Sequence, residues 1–107
     1  MTESCWFLYL IRCRNGTLYA GISTDVSRRF AEHQAGPPKG ARYLRGKGPL
    51  QLEFQSVAGD RSAATKLEIW VKGLPRTVKE EVVAGRLDLH ELFAAKQDRE
   101  DLQKSID

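Results

Sequence analysis

The sequence predicts a small α/β (α+β) domain, in which a central, mainly antiparallel three-stranded sheet is flanked by helices in the order β-β-α-β-α-α. Three observations carry that expectation. A near-continuous apolar run from Cys5 to Cys13 leads into Asn15-Gly16 and a second β-rich run. Two stretches of helical periodicity each follow an aspartate suited to capping, Asp25 and Asp60. Between them Leu50, Leu52 and Phe54 alternate with Gln51, Glu53 and Gln55. At 107 residues and 41% apolar content the chain has material for one modest core.

Each element has a local reason. Residues 5 to 13 are aromatic and β-branched, and their apolarity on alternate positions of both parities predicts a central strand buried on both faces. Asn15-Gly16 suits the positive φ angles of a type I′ turn, so Thr17 to Ile22 returns as the second strand of a hairpin. Gly21, just past Tyr19, either admits the close approach of another backbone or ends the strand. Thr24 or Asp25 caps a helix to about Gln34, whose stripe is set by Val26 and Phe30. At about 100° per residue, Phe30, His33 and Arg29 all fall within about 60° of Val26, whereas Arg28 points away to water. A guanidinium at the edge of an apolar stripe needs a phosphate or a carboxylate beside it.

The period of two over residues 50 to 55 predicts a third strand with one buried and one wet face. Asp60 then caps a helix to about Lys72, stopped by Gly73 and Pro75, with Ala64, Leu67 and Val71 on its stripe. Glu68 falls inside that stripe. A carboxylate there calls for a salt bridge, a proton or a bound cation; Lys72, one turn on, is the ordinary partner, and metal ligation is the preferred reading. Thr77-Val78-Lys79-Glu80 has the form of a capping box opening a short helix that ends at Gly85. From Asp88 the pattern Leu89, Leu92, Phe93 continues a helix briefly, and the last ten residues are expected to fray. Residues 1–87 form the domain in this reading and residues 88–107 a charged helical extension, with His90 in a surface or minor packing role.

Charge and cysteine usage narrow the function classes. The net charge of +3 divides unevenly: residues 1 to 87 carry fourteen Lys/Arg against eight Asp/Glu, and residues 88 to 107 carry three against six. A basic body favours a polyanionic partner. The loop of residues 35 to 49 holds four Gly, three Pro, four Lys/Arg and no acid, so Lys39, Arg42, Tyr43, Arg45 and Lys47 form a candidate nucleic-acid surface, joined by Lys72. No stretch approaches the roughly 20 apolar residues of a membrane span, and no basic-then-apolar leader opens the chain, which reads as cytoplasmic. Cys5 and Cys13 would lie about 26 Å apart on an extended strand and cannot pair, and a zinc site lacks its ligand spacing.

Tyr9 and Tyr19, ten residues apart on paired strands, would converge on the surface against which the helix of Arg29 and His33 packs. Phe7-Leu8-Tyr9, Tyr19-Ala20-Gly21, Arg29, His33 and Glu68 together resemble the GIY-YIG nuclease superfamily over roughly residues 6 to 85. Within it the chain is most similar to the small stand-alone bacterial proteins of the YhbQ-like, UPF0213 type, through the Asn-Gly hairpin, the Asp25-x-x-Arg28-Arg29 helix start and Gly40-Ala41-Arg42-Tyr43. Phe-Leu stands where the motif has Gly-Ile, Ala20 where it has Ile, and Pro75 where a small capping residue is common.

The resemblance implies a metal-dependent endonuclease acting on DNA, selective for structure rather than sequence, with Tyr9, Tyr19, Arg29, His33 and Glu68 as its catalytic set. Glu68 would be the ligand of one Mg²⁺ or Mn²⁺ ion, which suits a hard, largely hydrated cation. Arg29 would fork onto the non-bridging phosphate oxygens. One phenol would act as general base, with Tyr19 favoured and the choice open, and His33 would orient a phenol or phosphate. RNA stays open as a substrate, as does a protein partner that presents it; no membrane partner is expected. The competing reading is a nucleic-acid binding module with little or partner-dependent cleavage.

Overall fold

The structure, a computed structural model, describes residues 4–106, and the side chains of residues 4–102 among them. The elements follow in the expected order: β1 (Trp6–Arg12), β2 (Leu18–Ser23), α1 (Val26–Ala35), a single 3-10 turn (Arg42–Leu44), β3 (Gln51–Gly59), α2 (Arg61–Lys72), α3 (Arg76–Val83) and α4 (Leu89–Ile106). β1 lies in the middle of the sheet, antiparallel to β2 on one side and to β3 on the other. Among the described residues no helix is long and apolar enough to cross a membrane.

The apolar run of β1 is explained by helical layers on both faces of the sheet. Leu8 and Leu10 point to one layer, with Ala20, Leu67 and Val71 of α2, Val82 and Leu89. Tyr9 and Ile11 point to the other, with Val26 of α1, Leu44 and Leu50. Leu8, Leu10 and Ile11 are among the most completely buried side chains, each stabilising the fold by about 1.5–3 kcal/mol relative to exposure. α1 and α2 thus sit on opposite faces, an arrangement that decides how the site is assembled.

Four local expectations need correction. The β1–β2 hairpin does not turn on a two-residue type I′ loop. The Gly16 N–H donates to the Cys13 carbonyl and the Cys13 N–H to the Thr17 carbonyl, both at 2.9 Å, leaving three residues in the loop; only Gly16 takes positive φ, at 91°. Asn15 instead accepts from the Thr17 N–H and hydroxyl through its side chain.

β3 runs four residues beyond the alternating segment and is bulged. Leu10 pairs with Phe54 but Ile11 with Leu52, so Glu53 is the extra residue and the alternation breaks there. Leu52 accordingly packs with the Tyr9 layer and Phe54 with the Leu10 layer, where a regular strand would have put both on one face. The capping box is also not formed. α3 starts at Arg76 behind Pro75, which offers no side-chain acceptor, so Thr77 lies inside the helix instead of at its N-cap; Glu80 is engaged by Arg12 from two nitrogens, at 2.5 and 2.8 Å. Arg12 also reaches Glu53 and the Gly16 carbonyl, so one guanidinium ties the hairpin turn to β3 and α3. α4 continues as helix to Ile106 rather than dissolving after Phe93, helped by the Lys96–Glu100 pair one turn apart.

Candidate active site

The hairpin register brings the two tyrosines together. Tyr9 lies opposite Gly21 and Tyr19 opposite Ile11, so both phenols project to the α1 face as diagonal neighbours. Gly21 admits a side chain, not a backbone: a Cβ there would lie 2.3 Å from the Tyr9 Oη and 2.4 Å from its Cζ. The Tyr9 ring therefore runs across β2 and is only 2% exposed.

α1 supplies the next groups, as its stripe requires. Asp25 caps it by accepting from the Arg28 N–H, and Val26 anchors its apolar face. His33, 3% exposed, holds Tyr9: its Nε2 is 2.9 Å from the Tyr9 Oη, while its Nδ1 accepts the Ala41 N–H at 3.0 Å. A backbone amide can only donate, so Nδ1 carries no proton and the neutral ring bears its proton on Nε2. His33 is thereby a donor to the Tyr9 oxygen. Burial, reinforced by the positive charge of Arg29, holds the imidazole below its ordinary pKa and favours this neutral form.

Tyr9 itself is pushed up to about 12, first by burial and then by its neighbour Tyr19, with Arg29 working in the opposite direction. It keeps its proton at neutral pH. Arg29 stands beside this phenol, and its Nη1 donates to Glu32 Oε1 at 2.9 Å and to the Lys39 carbonyl at 2.6 Å. The partner required by a guanidinium on the stripe is thus Glu32, whose carboxyl Arg29 holds below the usual carboxylate range. Glu32 lies three residues after Arg29, and that spacing was the available signal for it.

Glu68 arrives from the other layer. It sits on α2, next to the Leu67 that fills the Leu10 core, and its side chain is 19% exposed. Its charge reaches Tyr9, where it helps to disfavour the phenolate. Lys72 Nζ lies 3.4 Å from Glu68 Oε2 and 5.9 Å from the centre of the Tyr19 ring. The functional side chains of the two faces therefore meet beside the edge strand β2. Among the described residues no cluster of three or more His, Cys, Asp or Glu could enclose a metal ion. Glu68 as a carboxylate anchor fits a hard cation that keeps most of its water.

A cleft of about 330 Å³ opens beside these groups, lined by Leu18, Tyr19, Ala20, Tyr43, Lys72 and Lys79. Tyr43 stacks on Tyr19 with centroids 5.6 Å apart and planes 19° from parallel, and Lys47 lies 4.4 Å over the outer Tyr43 ring. Of the basic loop, Tyr43 and Lys47 therefore join the site, and Lys39 joins through its carbonyl. The side chains of Lys39, Arg42 and Arg45 are not brought to the cleft, and both arginines lie exposed on the loop. Lys79 was not anticipated, because its segment read as a capping box. A roomier hollow of about 400 Å³ under α4, lined by Asp60, Lys66, His90 and Phe93 among others, contains none of these groups. His90 is bonded to Ser56 of β3, at 2.7 Å.

Residues 5–81 match the GIY-YIG catalytic domain. The chain belongs to that family. Relatives include the UPF0213 protein of Cronobacter sakazakii, 53% identical over 92 residues that cover 86% of this chain and 95% of the relative. A UPF0213 protein of Vibrio cholerae is 54% identical over 90 residues, covering 83% and 87%. The UPF0213 protein of Bacillus halodurans, known from a solution NMR structure, is 38% identical; the alignment covers 75% of this chain and 83% of that one, with a TM-score of 0.48. The GIY-YIG match ends near the end of α3, and α4 packs on the core beyond it through Leu89, Leu92 and Phe93.

Proposed function

We propose that this GIY-YIG protein is a metal-dependent endonuclease that hydrolyses DNA phosphodiester bonds, selecting substrates by structure rather than sequence. The observation that carries the reading is the Tyr9–His33 pair beside Arg29 and within electrostatic reach of the carboxylate Glu68. Phosphodiester hydrolysis needs a water held in line, charge stabilisation around phosphorus and relief of charge on the leaving oxygen. Glu68 would hold a hydrated Mg²⁺ or Mn²⁺, which when bound supplies charge neutralisation and lowers the pKa of its water.

The chain's own residues divide the remaining work. Tyr9 keeps its proton and has its oxygen fixed by His33 Nε2–H, so it acts as a positioned hydrogen-bond donor to phosphate or water. Tyr19, half-buried on the cleft wall, takes the role of general base. Arg29 turns from Glu32 to the non-bridging oxygens, where its planar fork matches two acceptors at once. Tyr43 offers a face for a base, and Lys47, Lys72 and Lys79 offer charge to the backbone.

A second reading is a DNA-binding module whose cleavage needs a partner protein. It is favoured by Arg29, which is already engaged by Glu32 and the Lys39 carbonyl. The test incubates the protein with single-stranded, duplex and branched DNA in Mg²⁺ or Mn²⁺, beside folded Glu68→Ala and Arg29→Ala variants. Cleavage by the wild type and its loss in both variants is the expected result. Equal cleavage by Glu68→Ala overturns the metal assignment, and binding without cleavage on every substrate moves the conclusion to the partner-dependent module.

A further inference from the structure

We propose that Lys72 is a built-in stand-in for the divalent cation, its ammonium resting on Glu68 until a metal ion displaces it. The inference rests on the reading of Glu68 as the metal ligand. Lys72 Nζ lies 3.4 Å from Glu68 Oε2, so the ammonium already occupies the neighbourhood of the carboxylate that a hard cation would take. An ammonium and a dication cannot share that place, since at such separations their repulsion opposes both.

The two side chains are unequally held. Glu68 is 19% exposed and fixed next to core residues of α2, whereas Lys72 is 51% exposed on a flexible four-carbon stem near the end of the helix. Lys72 also has somewhere to go. It lines the cleft with Tyr43 and Lys79 and stands 5.9 Å from the Tyr19 ring, so a swing of the stem takes its charge from the carboxylate into the cleft. A plain i, i+4 pair would contribute only to helix stability. The distinctive feature here is that the same carboxylate projects its field onto Tyr9. With Lys72 in place that charge is partly neutralised while no metal is bound.

The stand-in competes with metal, so removing it strengthens metal binding through Glu68 alone. Mn²⁺ is titrated into the full chain without DNA and followed by the electron paramagnetic resonance signal of free Mn²⁺, for the wild type, Lys72→Met, Lys72→Arg, Glu68→Gln and the Glu68→Gln/Lys72→Met double variant. Methionine keeps the helix propensity and stem length of lysine without its charge. Lys72→Met is expected to bind Mn²⁺ about five-fold more tightly than the wild type, the scale of one partly exposed ion pair. Lys72→Arg should stay near the wild type, and the gain should vanish in the double variant. Wild-type affinity in Lys72→Met, with binding abolished by Glu68→Gln, overturns the stand-in and leaves the metal assignment intact. The same weak binding in all five proteins overturns both.

Discussion

Replacing Gly21 by alanine tests how the Tyr9 phenol is packed. The new Cβ would lie 2.3 Å from Oη, 2.4 Å from Cζ and 2.9 Å from Cε1. Carbon contacts settle near about 3.5–4.0 Å, so the ring must move by more than about 1 Å. The ring cannot do so freely, because it is 2% exposed and its oxygen is held 2.9 Å from His33 Nε2. Overpacking of this kind costs about 1–3 kcal/mol. Alanine also narrows the unfolded ensemble and returns about 0.4–1 kcal/mol, which leaves a net loss of about 1–2 kcal/mol. The assay is urea unfolding of the wild type, Gly21→Ala, Tyr9→Leu and the double variant. With no ring to displace, Gly21→Ala should be neutral or stabilising in the Tyr9→Leu background. The same cost in both backgrounds would refute the claim that Gly21 is small to make room for the phenol. The cleavage proposed for this chain should fall about 100-fold in Gly21→Ala, since a displacement of about 1 Å in a positioning group is enough for that.

Other outcomes follow from the same groups. His33 is held below its ordinary pKa by burial and Arg29, so the unfolded chain takes up more protons as the medium acidifies. Stability is therefore full above about pH 6.5 and declines below it, and His33→Gln should flatten the change in urea midpoint between about pH 7.5 and 5.5; an unchanged slope would count against a buried neutral ring. In an alkaline titration followed at the phenolate absorbance, the component lost in Tyr9→Phe should be the one that ionises at about 12. Lys47→Ala and Lys79→Ala should each reduce the salt dependence of DNA binding by about 0.7–0.9 of a log unit per log unit of salt, measured by fluorescence anisotropy.

The order of elements and most of the candidate site were legible because local chemistry was strong there. The run from Trp6 to Arg12 is apolar at both parities, and Asp25 and Asp60 mark helix starts that geometry could hardly move. The stripe of α1 correctly turned Arg29 and His33 toward Tyr9. Most of the departures depend on partners distant in sequence. Glu80 reads as a capping side chain, but α3 begins behind Pro75, ahead of Thr77, and the carboxylate goes to Arg12, 68 residues away. The alternation at Leu52 and Phe54 looked like a regular strand, and only pairing with β1 shows that Glu53 breaks it. Ala41 gave no sign of chemistry, yet its backbone amide selects the tautomer of His33. Lys79 reaches the cleft through the placement of α3, which no periodicity of its own segment could reveal.

The position of the candidate groups on opposite layers of the sheet bears on how the protein is made. The phenols, the guanidinium and the imidazole all lie between residues 9 and 33, whereas the carboxylate comes only at residue 68, after β3 and on the first helix to cover the far face. A truncated or half-folded chain can present four of the five groups and still lack the one on which metal binding is proposed to depend. On that reading, a copy whose second layer has not closed over the sheet would hold those four groups without the proposed metal ligand and would be inactive.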